Sequence, residues 1–137
     1  GITFYPKDIT FFEGNDPNNK VDELIEADNY VERTLKLLEY GDIYIIFSGG
    51  TGTISEFGMA WGLARLYFGH HKPLILFGGF WYPILEELAR HMRLRGQELK
   101  VYKIVTEVDH VVPAIKEFEE ELTKAEHEHS EKGPFRH

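Results

Sequence analysis

The stretch Ser48-Gly49-Gly50-Thr51-Gly52-Thr53 packs three glycines into four positions and flanks them with hydroxyl side chains. Glycine has no Cβ, so such a run turns tightly and brings main-chain N–H groups close to a ligand. A helix predicted to begin near Thr53 would aim its unpaired N–H groups, and the positive end of its dipole, at the same spot. Together they suit an anion of the phosphate type, with the Thr51 and Thr53 hydroxyls as extra donors. Ser48, Gly49, Gly50, Thr51, Gly52 and Thr53 are therefore the candidate phosphate-binding residues. No Lys follows the last glycine, so this is not a Walker loop, and the spacing is not that of the dinucleotide fingerprint. The competing reading is a glycine-rich turn that only joins a strand to a helix.

Two charged residues join the list. Thr53-x-x-Glu56 has the form of a capping box, in which the glutamate bonds back to the N-cap amide and does nothing else. Alternatively Glu56 lies on the first helical turn beside the phosphate cradle, where a carboxylate binds sugar hydroxyls or positions a water. Arg33, flanked by Glu32 and Lys36, reads from spacing alone as a surface arginine.

These residues need a frame. Ile2–Tyr5 reads as a short strand closed by Pro6. Asp16-Pro17 offers a helix start, and Val21, Leu24, Ile25, Val31, Leu35 and Leu38 follow a helical stripe stopped by Gly41. Ile43–Phe47 is a continuous apolar run, as expected of a strand covered on both faces. After the glycine turn, Phe57, Ala60, Trp61, Ala64 and Phe68 share a helical face ending at Gly69-His70-His71-Lys72. A buried strand over Pro73–Phe77 leads into the Gly78-Gly79 turn. A helix through Ile84, Leu85, Leu88 and Met92 ends near Gly96. A strand over Val101–Val105 precedes a last helix with Val111, Ile115, Phe118, Leu122 and Ala125.

Strands alternating with helices predict an α/β fold, a Rossmann-like doubly wound parallel sheet with helices on both faces. In such sheets ligands sit beyond the carboxyl ends of the strands, which singles out Ser48–Thr53 and Gly78–Phe80. Residues 1–124 are expected to form one nucleotide-binding domain, and residues 125–137 a frayed or disordered tail.

Composition narrows the function. The chain has 137 residues, 42% of them apolar and 28% charged, as in a soluble globular domain. A formal charge of −8 argues against a protein that grips nucleic acid through its backbone. No window approaches the roughly 18–20 apolar residues that cross a bilayer, so no membrane partner is expected. There are no cysteines, which excludes disulfides and thiolate metal sites and fits a cytoplasmic setting. His70-His71 and His127-x-His129 match no zinc spacing and read as surface histidines, so no metal is expected. Trp61, Trp81 and Tyr82 read as core or subunit contacts before base-stacking platforms.

From Asn29 to Trp61, NYVERTLKLLEYGDIYIIFSGGTGTISEFGMAW resembles the LOG (Lonely Guy) family, long labelled lysine decarboxylases. There a helix with an M-x-x-R-K pattern precedes a strand ending in P-G-G-x-G-T-x-x-E. Gly49, Gly50, Gly52 and Thr53 match the phosphate loop, Glu56 the second glutamate and Arg33 the arginine. Ser48 stands where the family has Pro, Thr51 replaces a frequent aromatic, Ser55 the first Glu and Thr34 the Lys.

The resemblance implies a nucleoside 5′-monophosphate phosphoribohydrolase that frees the base from ribose 5-phosphate, without a cofactor. Glu56 and Arg33 would be its catalytic residues. Relatives with a similar loop, the molybdenum-cofactor carrier proteins, bind without hydrolysing, and a non-catalytic carrier is the alternative. Lysine decarboxylation would need a lysine bearing pyridoxal phosphate, and no Lys sits in a convincing place. The family implies a small nucleotide as partner and a homodimer or higher homo-oligomer. It also begins with about half a domain not found here, with GITFYP as an edge strand and two central strands lacking, so the chain is expected to be the C-terminal part of a longer polypeptide or to receive the missing half from another chain.

Overall fold

The computed structural model describes residues 1–9, 18, 20–66 and 72–132; the side chains of residues 97 and 125–132 are outside that description. The chain divides into two compact units, Gly1–Asp42 and Ile43–His137. Both are built from parallel strands and helices, the α/β class that the alternation predicts.

The first unit holds β1 (Ile2–Pro6), β2 (Glu23–Ala27) and α1 (Tyr30–Tyr40). β1 and β2 pair in parallel from Ile2 opposite Glu23 to Pro6 opposite Ala27. The helix expected from Asp16-Pro17 onward is therefore corrected: Glu23–Ala27 is a strand, and the helix begins only after Asn29. Residues 16 and 17 themselves lie outside the described residues. Asn29 caps the helix through its side chain, which accepts from the Glu32 amide at 2.9 Å. Glu32 reaches back to accept from the Asp28 amide at 2.6 Å, so two otherwise orphaned donors are satisfied. The stripe was misplaced too. Val31 and Leu35 are exposed, whereas Thr34 and Leu38 are buried, the Thr34 hydroxyl donating to the Tyr30 carbonyl at 3.0 Å.

The second unit holds β3 (Tyr44–Ile46), α2 (Thr51–Leu66), β4 (Leu74–Phe77), α3 (Trp81–His91), β5 (Tyr102–Val105) and α4 (Val111–Lys132). The three strands form a parallel sheet in the order β3-β4-β5. Leu74, Ile75 and Leu76 are fully buried, as an unbroken apolar run in a sheet covered on both faces should be. Ile75 and Val105 meet Ala114 and Phe118 of α4, with Ile43, Phe77, Val111 and Ile115 packed around them. By strand alternation Leu74 and Leu76 point the other way. Helix α2, which touches β3 and β4, buries Phe57, Ala60 and Ala64. Trp61 stacks on Phe57 at 5.2 Å, and its Nε1 donates to the Glu98 carbonyl at 2.7 Å. Trp81 is buried 4.9 Å from the Phe57 ring. Both tryptophans are thus packing residues. In α3 the expected stripe holds at Leu85, but Ile84 and Met92 are exposed. Phe68 and the Gly69–His71 segment lie outside the described residues.

Lys103 of β5 ties that strand to α4. Its ammonium lies 2.8 Å from Glu117, 2.9 Å from Glu121 and 4.4 Å from the centre of the Phe118 ring. Partial burial is the largest single influence and pulls its pKa down; the two carboxylates outweigh it, and the net shift is upward from the ordinary 10.5. A raised lysine pKa means that the stabilisation is complete below the ordinary value and is lost as the pH rises through the higher folded one. Lys103→Gln is therefore expected to lower stability by about 0.5–1 kcal/mol at neutral pH. Urea midpoints taken upward in pH should show the two proteins converging above about pH 10.5. A constant gap across that range would remove the ion pairs from the explanation.

Candidate functional site

β3 ends at Ile46 and α2 begins at Thr51, so the connection is Phe47-Ser48-Gly49-Gly50. The glycine–threonine motif is thus divided between a short loop and the first turn of the helix. The Ile54 amide donates to the Gly50 carbonyl at 3.2 Å, which leaves the amides of Thr51, Gly52 and Thr53 without intrahelical acceptors. No acidic residue occupies that first turn, so no carboxylate of the turn offsets the positive end of the helix dipole. Ser48 to Gly52 are exposed and Thr53 is half-buried. A small anion reaching this end of the sheet would meet amides, hydroxyls and no opposing carboxylate from the turn.

Gly49 owes its place to crowding more than to backbone conformation. Among the described glycines, Gly78 has positive φ, at 130°, and Gly49 and Gly50 do not. Gly49 is crowded: a Cβ there would overlap Thr53 Oγ1 and lie 2.9 Å from Thr53 Cβ. A Cβ on Gly50 would stand in open space. Gly49→Ala is accordingly expected to cost about 1–3 kcal/mol as Thr53 is pushed aside. Gly50→Ala serves as the control in the same thermal melts. Equal melting temperatures for the two variants would show that Thr53 yields freely.

Glu56 is the sixth residue of α2 and half-buried; Thr53 is its third. Neither residue is where a capping box needs it, since Thr53 is already inside the helix rather than at its N-cap. Glu56 stands on the second turn, not the first as expected from the sequence. Ser55 turns its hydroxyl back to donate to the Gly52 carbonyl at 2.9 Å.

Arg33 belongs to the first unit. It is half-buried, its Nε donating to the Phe4 carbonyl of β1 at 3.2 Å and its guanidinium 5.8 Å from the centre of the Tyr30 ring. The surface arginine read from spacing is therefore a tie between α1 and β1. The loop residues and Glu56 come together within one strand–loop–helix of the second unit; Arg33 is placed in the other unit.

One residue beside the loop escaped the sequence reading. Phe47, taken as the end of a buried strand, is 57% exposed, its ring 5.3 Å from that of Phe77. The turn after β4 also exposes an aromatic: Phe80 folds over Gly78, where a Cβ would overlap its ring. Among the described residues, no group of three or more His, Cys, Asp or Glu could hold a metal ion. Nor is any helix among them long and apolar enough to cross a membrane.

Comparison with known proteins bears on this architecture directly. A search of curated proteins returned no match. A family model described as "possible lysine decarboxylase" matches residues 2–133, spanning both units and the strand–loop–helix that carries the glycine–threonine motif. The match covers nearly the whole chain, which therefore belongs to that family, the LOG family.

Proposed function

We propose that the protein is a nucleoside 5′-monophosphate phosphoribohydrolase, which hydrolyses the N-glycosidic bond to give free base and ribose 5-phosphate. The observation that carries this reading is the strand–loop–helix at Ser48–Glu56, with three helical amides that lack intrahelical acceptors at one end and a half-buried carboxylate one turn further on. Membership of the family supports it, as does the motif match at Gly49, Gly50, Gly52, Thr53 and Glu56.

In this mechanism the amides of Thr51, Gly52 and Thr53, with the threonine hydroxyls, hold the 5′-phosphate. Binding energy from that remote group positions the ribose. As the bond to the base breaks, the anomeric carbon acquires oxocarbenium character, as in glycoside hydrolysis generally. Glu56 offsets the positive charge, holds the ribose hydroxyls or orients the attacking water. A role for Arg33 in orienting substrate or assisting the departing base rests on the family alone, because its guanidinium already ties α1 to β1. The setting proposed is cytoplasmic, with a small nucleotide as partner and a homo-oligomeric assembly.

One observation favours a second reading. Ser55 replaces a glutamate of the family motif and spends its hydroxyl on the Gly52 carbonyl, so the loop has one carboxylate fewer than the family pattern. A carrier that grips a nucleotide or a pterin-type phosphate without cleaving it is consistent with that loss. Incubation with AMP, CMP, GMP and UMP, followed by chromatography of free base, separates the two. Time-dependent base release establishes the hydrolase; nucleotide binding without release leaves the carrier.

A further inference from the structure

Phe47 is an exposed aromatic residue immediately before the loop. Strand alternation sets it on the same sheet face as Ile43 and Ile45, opposite Tyr44 and Ile46. On that face its ring meets Phe77 at 5.3 Å between centres, the two planes tilted by 46°. Phe77 is itself anchored, being half-buried and packed against the cluster of Ile75, Val105, Ala114 and Phe118. One ring of the pair is therefore fixed by the core, and the other leans on it with more than half its surface open.

Position gives this pair a use. Both rings stand at the carboxyl ends of adjacent parallel strands, where ligands of α/β sheets collect. The first of the three amide donors belongs to Thr51, four residues on from Phe47 and at most about 14 Å from it between Cα atoms. A group held by those amides and a group lying on Phe47 are thus within reach of one small molecule. A nucleoside monophosphate has that layout, an anionic phosphate joined through one sugar to a flat π-system. Stacking on an aromatic ring tolerates any base, because every base has a π-face.

We propose that Phe47, backed by Phe77, is the stacking wall for the base of a nucleotide whose phosphate sits on the Ser48–Thr53 loop. The proposal rests on the nucleotide reading given above and deepens it. It makes the site selective for a flat aromatic group without hydrogen-bond readout at this wall. Purines, with the larger face, are preferred over pyrimidines.

The test compares AMP with ribose 5-phosphate, which keeps the phosphate and sugar and lacks the base. Binding is measured by calorimetry on the whole chain carrying Glu56→Gln, so that AMP persists, with and without Phe47→Ala or Phe47→Leu. Phe47→Ala should weaken AMP about tenfold or more and leave ribose 5-phosphate within about twofold. Phe47→Leu, which keeps apolar bulk and loses the π-face, should also weaken AMP selectively. Equal weakening of both ligands would make Phe47 a support of the loop and overturn the proposal. So would unchanged AMP binding in Phe47→Ala, with the nucleotide reading left standing. Failure of AMP and ribose 5-phosphate alike to bind the Glu56→Gln chain would sink both together. Circular dichroism of each variant checks that the fold is kept, and Phe47→Leu provides the comparison should Phe47→Ala unfold.

Discussion

Glu56→Gln should reduce base release from nucleoside monophosphates by roughly 10²–10⁴-fold while changing nucleotide affinity only a few-fold. The two side chains have nearly the same size and both accept hydrogen bonds. What the substitution removes is the negative charge and the capacity to take a proton from water. In the ground state the ribose is neutral, so a charge nearby contributes little to binding. In the transition state the ribosyl centre is positive, and a carboxylate held there stabilises it selectively. The effect therefore belongs to kcat. Gln has a helix propensity close to that of Glu, so α2 still forms in the variant. Single-turnover release of base, measured beside the thermal midpoint of each protein, checks this. Retained turnover with an unchanged midpoint would take Glu56 out of the chemistry altogether.

The largest loss of stability is expected at Ile75. This residue is fully buried in β4 and sits at the centre of the cluster that joins the sheet to α4. Ile75→Ala deletes three carbons and leaves a cavity that neighbouring strands, locked in register, can close only in part. A cost of about 2–5 kcal/mol follows, against about 0.5–1.5 kcal/mol for Ile75→Val. Marginal stabilities of about 5–15 kcal/mol make the first of these a substantial share of the total. Chemical denaturation of the two variants, read by far-ultraviolet circular dichroism, should rank them in that order. If Ile75→Ala cost no more than Ile75→Val, the cluster would be far looser than its burial implies.

How far the sequence could be read depended on which residues carry the burial. The runs Tyr44–Ile46 and Leu74–Phe77 were legible as strands because parallel strands buried on both faces need nothing polar. Glu23–Ala27 was not legible. Its two glutamates broke the apolar run, and Val21, Leu24 and Ile25 happened to match the spacing of a helix. The true start was nonetheless written in Asn29-x-x-Glu32, a capping signal that the longer stripe obscured. Thr34 and Arg33 were beyond reach for another reason. A polar residue is buried only where a specific partner waits, here the Tyr30 and Phe4 carbonyls, and spacing does not disclose partners.

At the candidate site the motif and its position after β3 were legible from the glycines alone. Why residue 49 must be glycine was not, since the reason is the side chain of Thr53 four residues on. The exposure of Phe47 was likewise hidden, because an aromatic at the end of an apolar strand looks the same buried or bare.

The contact between Gly49 and Thr53 also has a consequence for how this loop can change over time. Each position limits what the other can accept, so drift at one is blocked until the other has moved. A relative with a side chain at the position of Gly49 should then carry a smaller residue at that of Thr53, or a displaced helix start. The two letters behave as a single inherited character, and an intermediate with only the first change pays in stability before the second arrives.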